Sequence, residues 1–303
     1  MLDLRRLRLL RELYDRGTIA AVAEALQFTP SAVSQQLAML ERETGVRLLE
    51  RSGRGVRLTD PALVLVEHAE ALLERAARAE ADLAAAAGAV TGRARIASFQ
   101  SASLRLALPS MQALRRAAPG LRCELIEAEP EDALPALALG DLDLVLGDEW
   151  QFHPWRLQPA LQRHELLRDP VRVFLPDRHP TARRHRDAVP LVELAGEAWA
   201  SAPSGMGWEE MTLRACREYG GFEPDIRHRT NDAFLALALV ARGLAVALMP
   251  GLVPAERQSG ITGRRIAEGT LTRSVFAVTR ASDAARPSTR ALVAAVKDAA
   301  NAL

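Results

Sequence analysis

Leu4, Leu7, Leu10 and Tyr14 recur at steps of three and four, the spacing of one helix face, and Gly17 supplies the left-handed position that ends many helices. A first helix is therefore predicted ahead of Gly17. Thr18 is a good N-cap, and Ile19, Val22, Ala23 and Leu26 fall on one stripe of a short second helix. Thr29-Pro30 then places a cap before a proline at the first helical position, where a missing N–H costs nothing. In the third helix that starts there, Val33, Leu37 and Leu40 cluster on one face, and Ser31, Ser34, Gln35, Ala38 and Arg42 cluster opposite. After Gly45 the run "LLERSGRGVRLT" offers two short apolar pieces around Ser52-Gly53-Arg54-Gly55, which reads as a hairpin with a tight turn.

A long fourth helix is predicted from Asp60 as cap, with Pro61 at its first position, to Ala87, with no glycine inside it. Ala62, Leu65, Ala69, Leu72, Ala76, Ala79 and Leu83 alternate steps of three and four along it, which reads as a coiled-coil seam with Glu and Arg on its flanks. Packing of this helix on its own domain is the competing reading. Gly88 to Gly92 forms a natural hinge. Beyond it, strand-like runs at 94–98, 121–128 and 142–148 alternate with helical ones at 102–117 and 131–139, the signature of a parallel α/β sheet. A second unit of the same kind includes strands at 171–176, 199–204, 225–230 and 244–250 and helices at 208–219 and 232–242. A late strand at 273–280 and a helix from Pro287 suggest that the chain returns to the first subdomain.

Composition refines this picture. The 303 residues are enough for two or three domains, and the formal net charge of +1 hides an asymmetry. Residues 1–58 carry ten arginines against seven acids, whereas residues 60–87 carry six acids against two arginines, so a nucleic-acid role is sought at the front. Among 39 basic residues only Lys297 is a lysine, a bias better ascribed to a GC-rich coding sequence than to guanidinium chemistry. Charges interrupt the leucines of the first segment every two or three residues, so no signal peptide is expected. The apolar run 233–241 is far short of the roughly 20 residues of a membrane span. A cytoplasmic protein without membrane contact is the expectation.

The polar face of the third helix carries short hydrogen-bonding side chains rather than Glu and Arg pairs, which lets a backbone approach closely, and glutamine can bond bidentately to adenine. The hairpin adds arginines at 51, 54 and 57, suited to phosphates or a minor groove. With these residues, the chain up to about residue 87 resembles the winged helix-turn-helix of the LysR-type transcriptional regulators. The match runs through Thr18, Ala20, Ala23, Leu26, Ser31-Ala32-Val33-Ser34, Leu37, Leu40-Glu41, Gly45, Leu48, Arg51, Arg54-Gly55 and Leu58-Thr59; Leu49, where the family usually has Phe, departs from it. The segments at 118–148 and 236–250 are similar to the effector-binding domain of the same family. The resemblance implies an α/β chain with an N-terminal all-α winged helix-turn-helix and a C-terminal, two-subdomain, periplasmic-binding-protein-like α/β domain.

The expected division is DNA-binding at 1–58, linker and dimerisation helix at 59–88, hinge at 89–92 and effector domain at 93–303, its first subdomain about 93–165 and 271–303 and its second about 166–270. Expected DNA contacts are Thr18, Thr29, Pro30, Ser31, Ser34, Gln35, Arg51 and Arg54, and expected dimer contacts are Leu65, Ala69, Leu72, Ala76 and Leu83. A helix-turn-helix dimer then presents two recognition helices to two operator half-sites.

Ligands in open α/β sheets lodge beyond the carboxyl ends of strands, near helix N-termini. Ser98, Phe99, Gln100, Ser101 and Ser103 follow the first such strand; Ala202, Pro203 and Ser204 occupy the facing position; Asn231 and Asp232 precede another helix. Serine hydroxyls at helix starts favour a small carboxylate, with Phe99 and Trp208 as an apolar wall and Arg105 as a distant helper. No catalytic residue, cofactor or metal is expected, because none of the histidines at 68, 153, 164, 179, 185 and 228 has a GxSxG context or a metal-ligand pair at i,i+4. Two alternatives stay open: an architectural DNA-binding protein without effector, and a redox sensor using Cys123 or Cys216. Peroxide sensors of the resembled family carry two cysteines within the second subdomain, whereas here Cys123 reads as a core residue of the first and Cys216 as the freer thiol of the second.

Overall fold

The computed structural model describes residues 2–26, 28–52, 55–86, 90–151 and 159–303. The chain divides into two compact units, Met1–Gly88 and Ala89–Leu303.

In the first unit, α1 (Leu4–Arg16) begins where the Asp3 side chain accepts the Arg5 N–H and ends at Gly17, whose φ of 74° is the left-handed value expected there. Thr18 caps α2 (Ile19–Ala25) and Thr29 caps α3 (Pro30–Thr44), each hydroxyl accepting the N–H three residues on. A single core gathers Leu7, Leu10, Val22, Val33, Leu37 and Leu40. Strands β1 (Leu49–Ser52) and β2 (Gly55–Leu58) pair antiparallel with Ser52 opposite Gly55, as the hairpin reading predicts. The Glu41 carboxylate accepts the N–H groups of Leu48 and Leu49 at 2.8 and 3.0 Å, which fastens the first strand of the wing to α3.

The fourth helix, α4 (Asp60–Ala86), starts one residue earlier than predicted. Thr59 is the cap: its hydroxyl accepts the Ala62 N–H at 3.4 Å and donates to Arg47 O at 2.8 Å. The predicted seam is corrected on one side. Ala62, Val66 and Ala69 are buried in the core of their own unit, with Leu65 packed beside them, because α4 lies along α1. Leu65 and Ala69 are thus intradomain contacts, and Ala76 is half-buried. The exposed apolar residues Val64, Leu72, Ala79 and Leu83 span instead an arc of about 100° on a different face.

In the second unit, β3 (Gly92–Ser98) lies parallel between β4 (Leu121–Glu127) and β5 (Leu144–Trp150). The helical stretch after β3 comprises α5 (Gln100–Ala102), a π-helical turn (Ser103–Ala107) and α6 (Leu108–Ala117), while α7 (Pro130–Ala138) follows β4. Cores on the two faces of these strands centre on Ile96, Leu144 and Leu146, and on Val145, Leu137 and Phe276. The strand predicted at 171–176 is far longer: β6 (Leu161–Pro176) has 16 residues, and its first half, half-buried and rich in charge, hides the strand pattern in sequence. After β6 come α8 (Pro180–Arg184), β7 (Ala188–Val189), β8 (Ala198–Ser201), α9 (Gly207–Ala215), β9 (Asp225–Arg229), α10 (Ala233–Ala241), β10 (Ala247–Pro250) and β11 (Ile261–Ile266). The chain closes with β12 (Thr272–Arg280) and α11 (Pro287–Asn301).

One eight-stranded sheet runs in the order β4-β3-β5-β12-β6-β11-β7, with β10 also paired to β6. Up to Pro170, β6 pairs with β12; beyond it, β6 pairs with β10 and β11. Long β6 therefore serves both halves of the unit, and the second half builds its own core around Trp199, Met211, Leu237 and Leu248.

Candidate nucleic-acid interface and effector cleft

The amphipathic split of α3 is realised. Pro30, Ser31, Ser34, Gln35, Ala38 and Arg42 are exposed, and Val33, Leu37 and Leu40 are buried. Local bonds order the short side chains at its start: Thr29 and Ser31 hydroxyls lie 3.0 Å apart, and Ser34 donates to Pro30 O at 2.9 Å. Thr18 and Thr29, exposed at the starts of α2 and α3, are first of all caps. Arg51 lies on β1 opposite Val56. Arg54, the expected phosphate contact at the wing tip, lies outside the described residues.

In the second unit a cavity of about 70 Å³ lies between the halves, room for a few waters where one needs about 10–15 Å³. Phe99, Gln100 and Ser101 line it from the start of α5, as predicted, and Asn231 from the approach to α10. Trp208 and Met249 supply apolar wall from the second half. The expected residues Ser98, Ser103, Ala202, Pro203 and Ser204 do not line it. Ser98 and Ser103 are buried and bond to Phe99 O and Ser98 O, satisfying the turn out of β3. The 203–205 loop folds onto Glu209, which accepts from Ser204 Oγ at 3.3 Å and Gly205 N at 2.8 Å and pairs with Arg229. Asp232 sits just behind the wall: it caps α10 and accepts from Gln100 Nε2 at 3.3 Å.

Charged residues that the sequence reading passed over dominate the interior. Arg273, at 3% exposure, donates to Asp148 at 2.8 Å, to Asp169 at 2.9 and 3.0 Å, and to Ser101 Oγ at 2.9 Å. Its guanidinium also lies 5.0 Å from the Phe99 ring and 5.1 Å from the Trp150 ring. Asp169 in turn accepts the Leu252 N–H. Glu129 and Glu131, at the entry to α7, face the same cavity. Burial, then the Asp148 charge, pushes the Glu129 carboxyl up to about 7 against a hydrogen bond from Asn231. Asp148 is raised too, by burial, with Arg273 opposing. Beside the Gln100–Asp232 bond, two more join the halves here: Asn231 to Glu129 at 2.7 Å and the Ala233 N–H to Gln100 Oε1 at 3.2 Å.

The glutamates were within reach of sequence reasoning, since the rule that ligands gather at strand ends applies to β4 and β5 as well as β3. Arg273 was not, because its partners lie 104, 125 and 172 residues away in sequence. The small carboxylate expected from helix starts alone takes no account of Glu129, Glu131 and Asp148, which line the cavity together with Arg273. The two thiols are also the reverse of expectation. Cys216 is fully buried and its thiol is pushed up to about 12 by burial, whereas Cys123 on β4 is the half-exposed one, raised by burial as well. Neither is an activated thiolate.

Residues 4–63 match the bacterial regulatory helix-turn-helix protein, lysR family, and residues 87–301 match the LysR substrate binding domain. The chain is 31% identical over 240 residues to the transcriptional regulator ShiR of Corynebacterium glutamicum, covering 75% of this chain and 79% of that one. It is 26% identical over 258 residues to the dual regulator OxyR of Escherichia coli K12, covering 85% and 82%. Among solved structures, a full-length OxyR point variant from Pseudomonas aeruginosa aligns at a TM-score of 0.66 and 22% identity over 98% of this chain and 95% of that one. CbnR complexed with its target DNA aligns at 0.55 and 23% over 98% and 100%. A helix-turn-helix at the front, a substrate-binding domain over most of the remainder and a relative matched over three quarters of the chain place it in one group: it belongs to the LysR family of bacterial transcriptional regulators.

Proposed function

We propose that α3 reads operator base edges through Ser31, Ser34 and Gln35, that Arg51 and Arg54 of the wing hold phosphates, and that a small molecule in the cleft around Ser101 sets the response. The exposed face of α3 carries the DNA reading: every outward side chain from 31 to 38 is short or hydrogen-bonding, over a fully apolar inner face. Such a face enters a major groove without steric cost, and Gln35 offers the donor and acceptor that adenine pairs with. Self-association through the exposed arc of α4 brings two such helices to two half-sites.

Binding without turnover is the companion proposal. The cavity presents carboxylates, one arginine paired with two aspartates and aromatic faces, while His179 and His185 bond to Glu197 and Glu193 and His164 to Thr279. Gln35→Ala tests the DNA assignment by anisotropy on operator and random duplexes. The expected loss is about 1–3 kcal/mol on the operator alone; equal loss on both duplexes removes Gln35 from the reading face.

A further inference from the structure

Taking the cavity as the effector site, we infer that the effector is a small organic cation, an ammonium or guanidinium on a compact body, held between the carboxylates of Glu129 and Glu131 and the aromatic wall of Phe99, Trp150 and Trp208. Among the described residues four ionisable side chains line the cavity: Glu129, Glu131, Asp148 and Arg273. The one cation among them is already matched in charge, since Arg273 is shared between Asp148 and Asp169 and gives a further bond to Ser101. Glu131, and Glu129 once ionised, are then left facing the cavity as excess negative charge. An incoming anion meets the carboxylates of Glu129 and Glu131 at short range and finds four of the five guanidinium N–H donors taken. An incoming cation meets both attractions, against an Arg273 charge that Asp148 and Asp169 already offset.

The walls fit that charge. Phe99 and Trp150 already present ring faces to the Arg273 guanidinium, so this end of the cavity is built to solvate a cation by its aromatic quadrupoles. Trp208 is held in place by its indole N–H, which donates to Leu248 O at 2.7 Å. A bare metal ion is the poorer occupant: among the described residues no three His, Cys, Asp or Glu side chains cluster closely enough to hold one. The cavity's size limits the bound body to a few heavy atoms.

Glu129 gives the binding a pH signature. The groups facing it are Asp148 from β5, Glu131 from α7, Arg273 from β12 and Asn231 ahead of α10, and the acids outweigh the arginine. With its carboxyl at about 7, a bound cation supplies the counter-charge it lacks and expels its proton. Affinity for a cation of constant charge therefore rises with pH across that range, and affinity for an anion falls.

The full-length protein is titrated with tetramethylammonium and 1,4-diaminobutane chlorides, with sodium acetate and benzoate, and with acetamide. Ionic strength is held constant, at about pH 6 and about pH 8, with tryptophan fluorescence and melting temperature as readouts. Saturable binding of an ammonium probe is expected, several-fold tighter at the higher pH and weakened about tenfold by Glu131→Gln or Glu129→Gln. Glu129→Gln alone flattens the pH slope. Glu131 is exposed, so its variant keeps the fold if Glu129→Gln does not. Gly207→Ala, whose new Cβ meets Trp150 Cδ1 at 2.7 Å, and Ala233→Leu narrow the cavity from the second half. If the acids or acetamide bind in place of the ammonium probes and narrowing blocks them, the cationic class is overturned while the cleft stands. If an ammonium probe binds every variant equally, its site lies elsewhere and the effector-cleft reading falls too. Binding of no probe overturns the cationic class.

Discussion

Arg273 is the side chain on which the cleft is assembled. Its planar fork bonds a strand-end aspartate, a second aspartate at the middle of β6 and the hydroxyl of Ser101, so three separate segments take their positions from one guanidinium. Removing it leaves Asp148 and Asp169 buried beside each other without a counter-charge. Arg273→Met is therefore expected to destabilise the second unit by about 3–5 kcal/mol, measured by denaturant unfolding. Arg273→Lys recovers only part of that loss, because a point charge does not replicate a fork of four bonds. Glu129 has the opposite character. Its carboxyl titrates at about 7 in the folded chain against an ordinary 4.5, so its ionised form is disfavoured by folding. The cost is fully present above pH 7 and disappears as pH falls through 4.5. Glu129→Gln, which keeps an acceptor for Asn231, is thus expected to raise the melting temperature at about pH 8. The gain is about 1–2 kcal/mol after solvent screening, or a few degrees, with none near pH 4.

Among the elements, α4 separates two roles that its sequence superposes. One face, through Ala62, Val66 and Ala69, closes the core of the first unit; another, through Val64, Leu72, Ala79 and Leu83, is apolar and exposed. Small Ala62 and Ala69 let α4 lie close along α1, with Leu65 packed at the edge of the core and Leu72 and Leu83 left outside. Leu72→Glu is expected to yield monomers with poor operator affinity, while Leu63→Glu, exposed but off that arc, stays oligomeric; sedimentation velocity checks both. Ala69→Glu is expected to fail differently, by unfolding the DNA-binding unit itself, because the fully buried alanine has no room for a charge. For the wing, Glu41 is the positioning residue. Glu41→Ala strands the N–H groups of Leu48 and Leu49 and is expected to weaken operator and random DNA together, through a loosened hairpin.

At the scale of the whole molecule, the chain has two units with separate cores, so two thermal transitions are expected, with a ligand bound to one raising chiefly that one. An effector at about a hundred times its dissociation constant is expected to stabilise the second unit by about 2.7 kcal/mol in calorimetry, leaving the first transition in place. Much of this organisation is legible in sequence. The caps at Thr18 and Thr29, the left-handed Gly17 and Gly45, the split faces of α3 and the hairpin at 49–58 rest on interactions within a few residues, which periodicity and cap chemistry report directly. The start of α5 likewise places Phe99, Gln100 and Ser101 at a strand end, where local chain direction decides the position. What sequence left undecided depends on contacts between distant segments. The face of α4 that packs on α1 is set by the fit of two helices, so the seven-residue pattern alone could not assign it. The length of β6 follows from its pairing with β12, which overrides a polar first half. The charged interior of the cleft is the least legible part: Arg273, Asp148, Asp169 and Glu129 meet only after the sheet closes, and electrostatics depends on distance in space, to which sequence separation gives no guide.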